Sequence, residues 1–385
     1  MTKGNFPVEK LKGIETPFYY YDIELLKKTL KIVKEETKKY GFLQHYAVKA
    51  NANRRILELI ASEGFGADCV SGNEVKAAVN AGFPASKIVF AGVGKTDKEI
   101  NLALDLNIFC FNVESLPELE VINELAAKKG KTAHVALRIN PNVDAHTHEY
   151  ITTGLNENKF GFSLAHLSDV IEALKGLKSI NLIGLHFHIG SQIEDIKVFE
   201  PLCVKVNELQ DFFEQEGLKL EHINLGGGLG IDYENPDEHP VSNFEGYFEL
   251  FHKNLKLREG QVAHFELGRS IVAQCGALVT KTTYVKYGES KVFAILDAGM
   301  TDLIRPALYQ AYHKIENISS ELPLQKYDVV GPICESSDFF AKDYELNETK
   351  RGDLIVLRSA GAYGEIMASQ YNCREIPKPY YSDKI

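Results

Sequence analysis

The stretch KIVFAGVGKTDKEINLALDLNIFCFNVESLPELEVINELAAKKGKTAHVALRIN, residues 87–140, contains three apolar runs separated by two longer polar–apolar segments. The apolar runs have the length of strands and are rich in β-branched and aromatic residues. The segments TDKEINLALDL (96–106) and ESLPELEVINELAAKKG (114–130) repeat apolar residues at helical spacing. The stretch therefore predicts alternating strands and helices, which is typical of proteins with parallel sheets.

The same alternation extends from residue 42 to about residue 270. Eight strands alternating with helices over roughly 230 residues predict an α/β fold of the (β/α)8 TIM barrel type. A doubly wound parallel sheet is the alternative. The predicted strands are residues 42–50, 66–71, 88–92, 108–113, 134–140, 180–190, 222–226 and 261–267.

The pattern changes after Arg269. ALVTKTTYVKYG, KVFAILDAGM, YDVVGPICES and DLIVLRSAGAYG alternate with turn residues, and no long helical period separates them. This texture predicts a second, all-β domain resembling a sandwich or barrel, to which the aromatic TPFYYYD segment can add an N-terminal strand. We expect the barrel to cover residues 24–268 and the β domain to combine residues 1–23 with residues 269–385.

Composition excludes several classes of protein. The formal net charge of -10 argues against nonspecific binding to nucleic acid, which requires a clustered basic surface. No apolar run approaches the roughly 20 residues of a membrane-spanning helix, and the N-terminus lacks the apolar core of a signal peptide. The six cysteines lie far apart without a CxxC pair, which fits neither a disulfide framework nor a zinc ribbon. We therefore expect a cytoplasmic protein with reduced cysteines and no membrane partner.

Polar residues end most of the predicted barrel strands. In barrels of this kind the active site lies at the carboxyl ends of the strands. A single polar residue there can belong to a structural ion pair, but so many together predict an active site. The residues are Lys49, Asp68, Ser71, Arg138, His186, His188, the glycines 226–228, Glu266 and Arg269.

Lys49 in HYAVKAN is a cation at a position predicted to face inward. Burial lowers the pKa of a lysine, and the neutral amine attacks carbonyl groups, so Lys49 could form a Schiff base with a substrate or with pyridoxal phosphate. The glycines of HINLGGGLG favour the cofactor, because their backbone N–H groups can approach a phosphate. Glu266 beside the pyridine nitrogen would keep that nitrogen protonated, while His188 could lie against the ring.

Eight motifs in collinear order carry a resemblance that covers nearly the whole chain. YAVKAN, ADCVSGNE, LRINP, HFHIGSQ, GGGLG, ELGR, GPICES and GAYG resemble the pyridoxal-phosphate decarboxylases of the alanine-racemase-like fold. TTGLNENKFGF (152–162), DLIRPALY (302–309) and GPICES (331–336) resemble the branch of that family that converts meso-diaminopimelate to L-lysine and carbon dioxide. The branches that act on ornithine, arginine or carboxynorspermidine are the alternative, and racemases of the same fold come next.

The resemblance implies a cofactor site built around Lys49, which would hold pyridoxal phosphate covalently. His188 would stack on the ring, and Glu266 would face the pyridine nitrogen. The family usually reads EPGR where this chain has ELGR, which leaves the spacing of Glu266 and Arg269 intact. The other residues implied in cofactor binding are Asp68, Ser191, Gly227, Gly228, Leu267, Gly268, Arg269 and Tyr363.

The resemblance also implies how an amino-acid substrate is bound. Arg269, Arg305 and Tyr309 would bind its carboxylates, and Glu335 would bind its distal ammonium group. Cys334 would donate a proton to the substrate carbon from the second subunit of a head-to-tail homodimer, so that the two subunits share their active sites. Tyr363 is implied in substrate binding as well.

Two other classes of function compete with a pyridoxal-dependent enzyme. HTH (146–148) and HFH (186–188) are similar to the paired histidines of barrel metal hydrolases, in which such a pair binds zinc. HFH ends the sixth predicted strand rather than the first, and HTH falls in a polar loop, so we expect no metal site. A catalytically silent relative would lack Lys49 or Cys334, and this chain has both.

Overall fold

The computed structural model of the chain describes residue 4, residues 6–143 and residues 159–385. The chain forms two compact units. The barrel unit consists of the described residues of Leu30–Gly230 together with Asn243–Gly268. The sheet unit consists of the described residues of Met1–Thr29 together with Ile231–Ser242 and Arg269–Ile385.

The strands of the described residues are numbered in chain order. They are β1 Phe18–Tyr21, β2 Leu43–Ala47, β3 Gly66–Cys69, β4 Ile88–Phe90, β5 Cys110–Val113, β6 Ala133–Arg138, β7 Ile180–His186, β8 His222–Asn224, β9 Val262–Leu267, β10 Gly276–Tyr287, β11 Val292–Leu296, β12 Ile315–Asn317, β13 Leu324–Val330, β14 Phe339–Asn347, β15 Leu354–Leu357 and β16 Lys378–Tyr381.

The α-helices of the same residues are numbered in the same way. None of them is both long enough and apolar enough to cross a bilayer. They are α1 Val8–Leu11, α2 Ile23–Tyr40, α3 Arg54–Ser62, α4 Gly72–Asn80, α5 Asp97–Leu106, α6 Leu116–Lys128, α7 Leu167–Leu174, α8 Phe199–Gln215, α9 Phe244–Asn254, α10 Arg269–Val272 and α11 Arg305–Tyr309.

Strands β2 to β9 form a closed parallel barrel, in which each strand pairs with the next and β9 pairs with β2. The predicted TIM barrel is therefore confirmed, and the doubly wound sheet is excluded. Each of the eight predicted strands overlaps an observed strand, but several observed strands end earlier. Strand β2 stops at Ala47, and Lys49 lies on the 3-10 turn Val48–Ala50 that follows it rather than on the strand.

Side-chain caps explain why the helices of residues 87–140 begin where they do. The Thr96 side chain accepts a hydrogen bond from the Glu99 backbone, and the Glu99 carboxylate accepts one from Thr96 in return. Helix α5 is terminated by Asn107, which follows Leu106 and whose φ of 51° lies in the left-handed region that asparagine tolerates. Ser115 caps α6 in the same way by accepting the N–H of Glu118.

The sheet unit contains one mixed sheet with the strand order β12-β15-β10-β11-β13-β14. The aromatic strand β1 pairs antiparallel with β10 and parallel with β16. The core beneath these strands is apolar, and Phe18, Val279 and Val356 in it are fully buried. This sheet confirms the mainly β domain predicted after Arg269, in which the only α-helices of the described residues are the short α10 and α11.

Three histidines form a hydrogen-bonded ladder inside the barrel. Nε2 of His45 lies 2.9 Å from Nδ1 of His264, and Nε2 of His264 lies 2.9 Å from Nδ1 of His222. Nδ1 of His45 lies 3.1 Å from the carbonyl oxygen of Lys87 and must therefore carry a proton. Each ring in turn is then a neutral imidazole that donates from Nδ1, and burial lowers the pKa of all three.

We expect the histidine ladder to make the fold sensitive to acid. Because the three pKa values lie below the unfolded value of 6.5, the folded state binds fewer protons than the unfolded chain does. The contribution to stability is present above about pH 6.5 and is lost as the pH falls, by up to about 1.4 kcal/mol per pH unit for each histidine. The thermal unfolding midpoint should therefore decrease as the pH is lowered from 8 to 5.

A substitution within the ladder separates this contribution from those of other groups. His264→Gln should reduce the slope of the unfolding free energy against pH by the equivalent of about one bound proton. His166→Gln, at a side chain that is 72% exposed, should leave the slope as it is. An unchanged slope in His264→Gln would show that the ladder is not the source of acid sensitivity.

Candidate active site

Lys49 follows β2 at the carboxyl end of the barrel strands. Its Nζ atom lies 3.5 Å from Oδ2 of Asp68, and 40% of its side chain is exposed. The side chain of Asp68 is only 1% exposed. The amine of Lys49 is thus less buried than the sequence predicted, and it is held beside a buried carboxyl group while remaining accessible to a ligand.

Asp68 is a carboxyl group that changes protonation near neutral pH. Burial raises the pKa of Asp68 to about 7, and the charge of Glu266 adds to the shift while Lys49 opposes it. Its Oδ2 atom faces Lys49, whereas Oδ1 is buried without a hydrogen-bond partner among the described residues. A buried oxygen of this kind can accept a hydrogen bond from a donor group of a bound ligand.

Glu266 places a second carboxylate inside the barrel, on β9. His186 donates to its Oε2 at 2.9 Å, and the amides of Asn112 and Asn224 donate to its Oε1 at 3.0 and 2.6 Å. Burial alone would raise the pKa of Glu266, but His186 and then Lys49 outweigh burial and hold that pKa below its usual value. Glu266 is therefore ionised although only 7% of it is exposed.

The sequence did not identify the two asparagines that hold Glu266. His186 stood among the polar strand ends, but it was given no role in the site. Asn112 is the one amide of the short strand β5, Asn224 ends β8 between the apolar Ile223 and Leu225, and both asparagines are buried. A polar residue that interrupts an otherwise apolar inward face was the signal that could have found them.

The glycines that follow β8 let the backbone approach its neighbours closely. A Cβ atom at Gly227 would collide with the carbonyl oxygen of Glu266, and Gly228 has a φ of 118° that favours glycine. The N–H of Gly227 donates to Nδ1 of His188 at 3.4 Å. Burial, followed by the charge of Lys49, holds the pKa of His188 well below its usual value, so the ring is neutral and can lie against a ligand ring.

Three further predicted residues lie at or just after the ends of barrel strands. Leu267 ends β9 in regular pairing with β2, so the residue that replaces proline continues the strand. A Cβ atom at Gly268 would come within 3.0 Å of the side chains of Ala47 and Ala50, at the turn of the lysine. Ser191 is half-buried in the loop after β7.

The barrel residues fit pyridoxal phosphate. Lys49 offers an amine for an aldehyde, and the ionised Glu266 offers a negative charge for a protonated ring nitrogen. The glycine loop forms a cradle that has no room for Cβ atoms. Its backbone N–H groups can therefore approach a phosphate closely. An amine, an internal carboxylate and a glycine cradle together match the three parts of this cofactor.

The predicted substrate-binding residues belong to the sheet unit. Arg269 and Arg305 are each 6% exposed, and both donate to the hydroxyl of Tyr233, at 2.7 and 2.9 Å. The ring of Tyr363 lies 5.0 Å from the guanidinium carbon of Arg269. Tyr309 is half-buried at the end of α11. The structure therefore brings the two arginines together on a tyrosine that the sequence had not indicated.

Cys334 and Glu335 lie on an exposed loop of the same unit. Asp338 holds this loop by accepting the N–H of Ile333 at 2.6 Å, and it is itself buried. The hydroxyl of Tyr371 donates to Glu335 at 2.5 Å. The loop thus has a fixed backbone and presents both predicted side chains to the surroundings.

The remaining predictions concern metals and cysteines. His146 and His148 lie outside the described residues, as does most of TTGLNENKFGF. Within residues 6–143 and 159–385, no group of three histidine, cysteine or acidic side chains is arranged to bind a metal ion. All six cysteines are free thiols.

Comparison with known proteins places this geometry in a family. Residues 25–273 match the model of the pyridoxal-dependent decarboxylase family, pyridoxal binding domain. A diaminopimelate decarboxylase of Bacteroides thetaiotaomicron is 63% identical over 384 residues, which cover 100% of both chains. A diaminopimelate decarboxylase of Neisseria meningitidis serogroup A is 44% identical over 93% of this chain and 87% of that protein.

Solved structures agree with the sequence relatives. The crystal structure of Helicobacter pylori diaminopimelate decarboxylase complexed with L-lysine has a TM-score of 0.92 and 42% identity, covering 98% of this chain and 94% of that chain. The M. jannaschii diaminopimelate decarboxylase in complex with L-lysine has a TM-score of 0.90 and 36% identity, covering 99% of this chain and 90% of that chain. The chain therefore belongs to the pyridoxal-dependent decarboxylase family.

Proposed function

We propose that the chain is a pyridoxal-phosphate-dependent decarboxylase that converts meso-2,6-diaminopimelate to L-lysine and carbon dioxide, the last step of lysine biosynthesis, in the cytoplasm. The observation that carries the proposal is the 63% identity, over the full length of both chains, to the Bacteroides diaminopimelate decarboxylase. The amine of Lys49 and the ionised Glu266 in the barrel supply the groups that this chemistry needs.

Loss of carbon dioxide leaves an electron pair on carbon, which is prohibitively unstable in water. Pyridoxal phosphate, when bound, supplies an aldehyde that captures the substrate amine and a protonated ring that takes up this electron pair. Lys49 would hold the cofactor, and Glu266 would keep its ring nitrogen protonated. His188, Asp68, Leu267 and Gly268 would line the ring and the turn beneath it.

The phosphate of the cofactor requires hydrogen-bond donors and positive charge. Gly227 and Gly228 offer backbone N–H groups, and Ser191 and Tyr363 offer hydroxyl groups. Arg269 could contribute a positive charge to the same anion. These assignments follow the family motifs at the matching positions of this chain.

Recognition of the substrate requires cations for carboxylates and an anion for the distal amine. We assign the carboxylates to Arg269, Arg305 and Tyr309, with Tyr363 beside them, and we assign the distal ammonium to Glu335. The thiol of Cys334 would give its proton to the carbon that has lost carbon dioxide. We propose that the thiol comes from the partner subunit of a homodimer with shared active sites.

The substrate assignment can be tested with the purified, cofactor-loaded protein. We expect carbon dioxide and lysine from meso-diaminopimelate, and no measurable carbon dioxide from ornithine or arginine, because only diaminopimelate has a distal amino-acid group. Carbon dioxide would be trapped and counted, and the amine product would be identified by chromatography. Release from ornithine or arginine alone would overturn the substrate, and release from none would indicate a silent relative.

Glu266→Gln should test the role of the buried charge. The amide keeps the shape and some hydrogen bonds of the carboxylate but cannot hold a proton on the ring nitrogen by charge. We expect kcat to fall by about 100-fold or more, which is the usual scale for a group that stabilises developing charge. Steady-state rates and the visible absorbance of the bound cofactor should both change.

Glu118→Gln is the matched control for the loss of a buried carboxylate in the barrel unit. The side chain of Glu118 is 9% exposed and pairs with Lys95 at 2.5 Å, and Lys95 in turn donates to the backbone carbonyl of Asn112 rather than to Glu266 itself. We expect this variant to lose stability but to keep kcat within about twofold, because the three hydrogen bonds that hold Glu266 remain in place. Equal rates for Glu266→Gln and Glu118→Gln would refute the role assigned to Glu266.

The shared site can be tested by mixing two inactive variants. In a dimer of Lys49→Ala with Cys334→Ser, one site would combine the intact Lys49 of one subunit with the intact Cys334 of the other. Random exchange of subunits should then restore up to about one quarter of the wild-type activity, because half of the dimers are mixed and each has one complete site. Mixed dimers that form but show no activity would mean that Cys334 acts within its own subunit.

A further inference from the structure

The hydroxyl of Tyr233 joins two buried arginines. Tyr233 lies in the Ile231–Ser242 segment of the sheet unit, directly after the glycine loop in the sequence. Nη1 of Arg269 donates to its oxygen at 2.7 Å, and Nη1 of Arg305 donates to it at 2.9 Å. The distance between the two Nη1 atoms therefore cannot exceed the sum of these two hydrogen-bond lengths.

Two like charges on a single oxygen repel each other unless something holds them. Burial alone would raise the pKa of Tyr233, but Arg269 and Arg305 outweigh burial, and the pKa falls below its usual value. The guanidinium carbon of Arg305 also lies 5.2 Å from the centre of the Tyr233 ring. Tyr233 thus binds both cations by its oxygen and one of them by its ring.

His313 is a second hydrogen-bond partner of Arg305. Its Nδ1 lies 2.8 Å from the carbonyl oxygen of Arg358, so this nitrogen carries the proton and Nε2 is the acceptor. Nη1 of Arg305 donates to that Nε2 at 2.9 Å. Burial, followed by the charge of Arg305, lowers the pKa of His313 to about 3, so the ring stays neutral and adds no positive charge.

The segment that carries Tyr233 is itself anchored. Asp237 accepts a hydrogen bond from Nη2 of Arg358 at 2.7 Å and lies 3.4 Å from the Nζ atom of Lys314. Nε2 of Gln274 donates to the carbonyl oxygen of His239 at 2.6 Å. These contacts hold the segment at several points, so the position of the phenol is fixed by more than its own loop.

Arg305 has no carboxylate partner among the described residues, because the contacts that the structure shows for it are to the phenol oxygen of Tyr233 and to the neutral ring of His313. A guanidinium has five N–H donors in a plane, and Tyr233 and His313 occupy one nitrogen of Arg305. The other donors keep a fixed direction and remain available to an anion. Such an arrangement suits bidentate binding of a carboxylate.

We infer that Tyr233 is a positioning residue, whose oxygen sets the distance and orientation between Arg269 and Arg305 for binding the carboxylate groups of the substrate. The inference rests on the proposed function, in which both arginines bind these carboxylates. Without the shared oxygen, repulsion would separate the two guanidinium groups and allow them to rotate. Affinity for carboxylates would fall, whereas the chemistry at the ring would not change.

Tyr233→Phe removes the oxygen and keeps the ring that packs against Arg305 and His313. We expect KM for meso-diaminopimelate and the inhibition constant of L-lysine each to rise about tenfold or more, the scale of hydrogen bonds to charged groups. kcat should stay within about threefold. The inhibition constant of 1,5-diaminopentane, which has no carboxylate, should not change. All three constants would be measured by steady-state kinetics on the cofactor-loaded protein.

Tyr344→Phe is the matched control, because it removes another phenol oxygen of the sheet unit that is hydrogen-bonded within that unit. The Tyr344 hydroxyl accepts from the N–H of Ile315 at 2.9 Å and donates to the carbonyl oxygen of that residue at 3.2 Å. It should lower the unfolding midpoint without changing KM. If Tyr233→Phe behaves in the same way, or if its inhibition constants for lysine and 1,5-diaminopentane rise together, the positioning role is wrong.

The wild-type protein in the same experiment separates this inference from the proposed function. A wild type that releases no carbon dioxide from diaminopimelate contradicts the proposed function. An active wild type with an unchanged Tyr233→Phe variant contradicts only the role of Tyr233.

Discussion

The carboxylate of Glu266 must remain charged inside the barrel, and the chemistry proposed for the site depends on this constraint. Moving an isolated carboxylate out of water costs several kcal/mol or more, and a buried glutamate without partners becomes protonated instead. The N–H of His186 and the amides of Asn112 and Asn224 prevent this by donating three hydrogen bonds to the two oxygens. A charge fixed in this way can stabilise a positive charge that a ligand brings into the barrel.

The barrel holds a second carboxyl group with the opposite behaviour. Burial raises the pKa of Asp68 to about 7, while the partners of Glu266 hold the pKa of Glu266 below its usual value. Two acidic groups whose surroundings separate their pKa values in this way are typical of active sites. Glu266 is suited to be a permanent charge, and Asp68 is suited to exchange a proton beside the amine of Lys49.

The periodicity of the sequence predicted the barrel, because each strand and helix depends on residues close together in the chain. It also placed Lys49 and Glu266 at strand ends, but it could not predict the groups that tune them. Asn112 lies 154 residues from Glu266 in the chain, and only closure of the barrel brings the two together. Tyr233 was missed for a similar reason, since it lies in a polar loop without regular periodicity and 72 residues from Arg305.

We propose that Lys49 is joined covalently to an aldehyde cofactor in the resting protein, and the rest of the proposed chemistry depends on this bond. The direct measurement is reduction of the cofactor-loaded protein with borohydride, followed by proteolysis and mass spectrometry of the peptide that contains YAVKAN. We expect a stable cofactor adduct on Lys49 and on no other lysine. An unmodified Lys49 peptide from fully loaded protein, or an adduct on a different lysine, would contradict it.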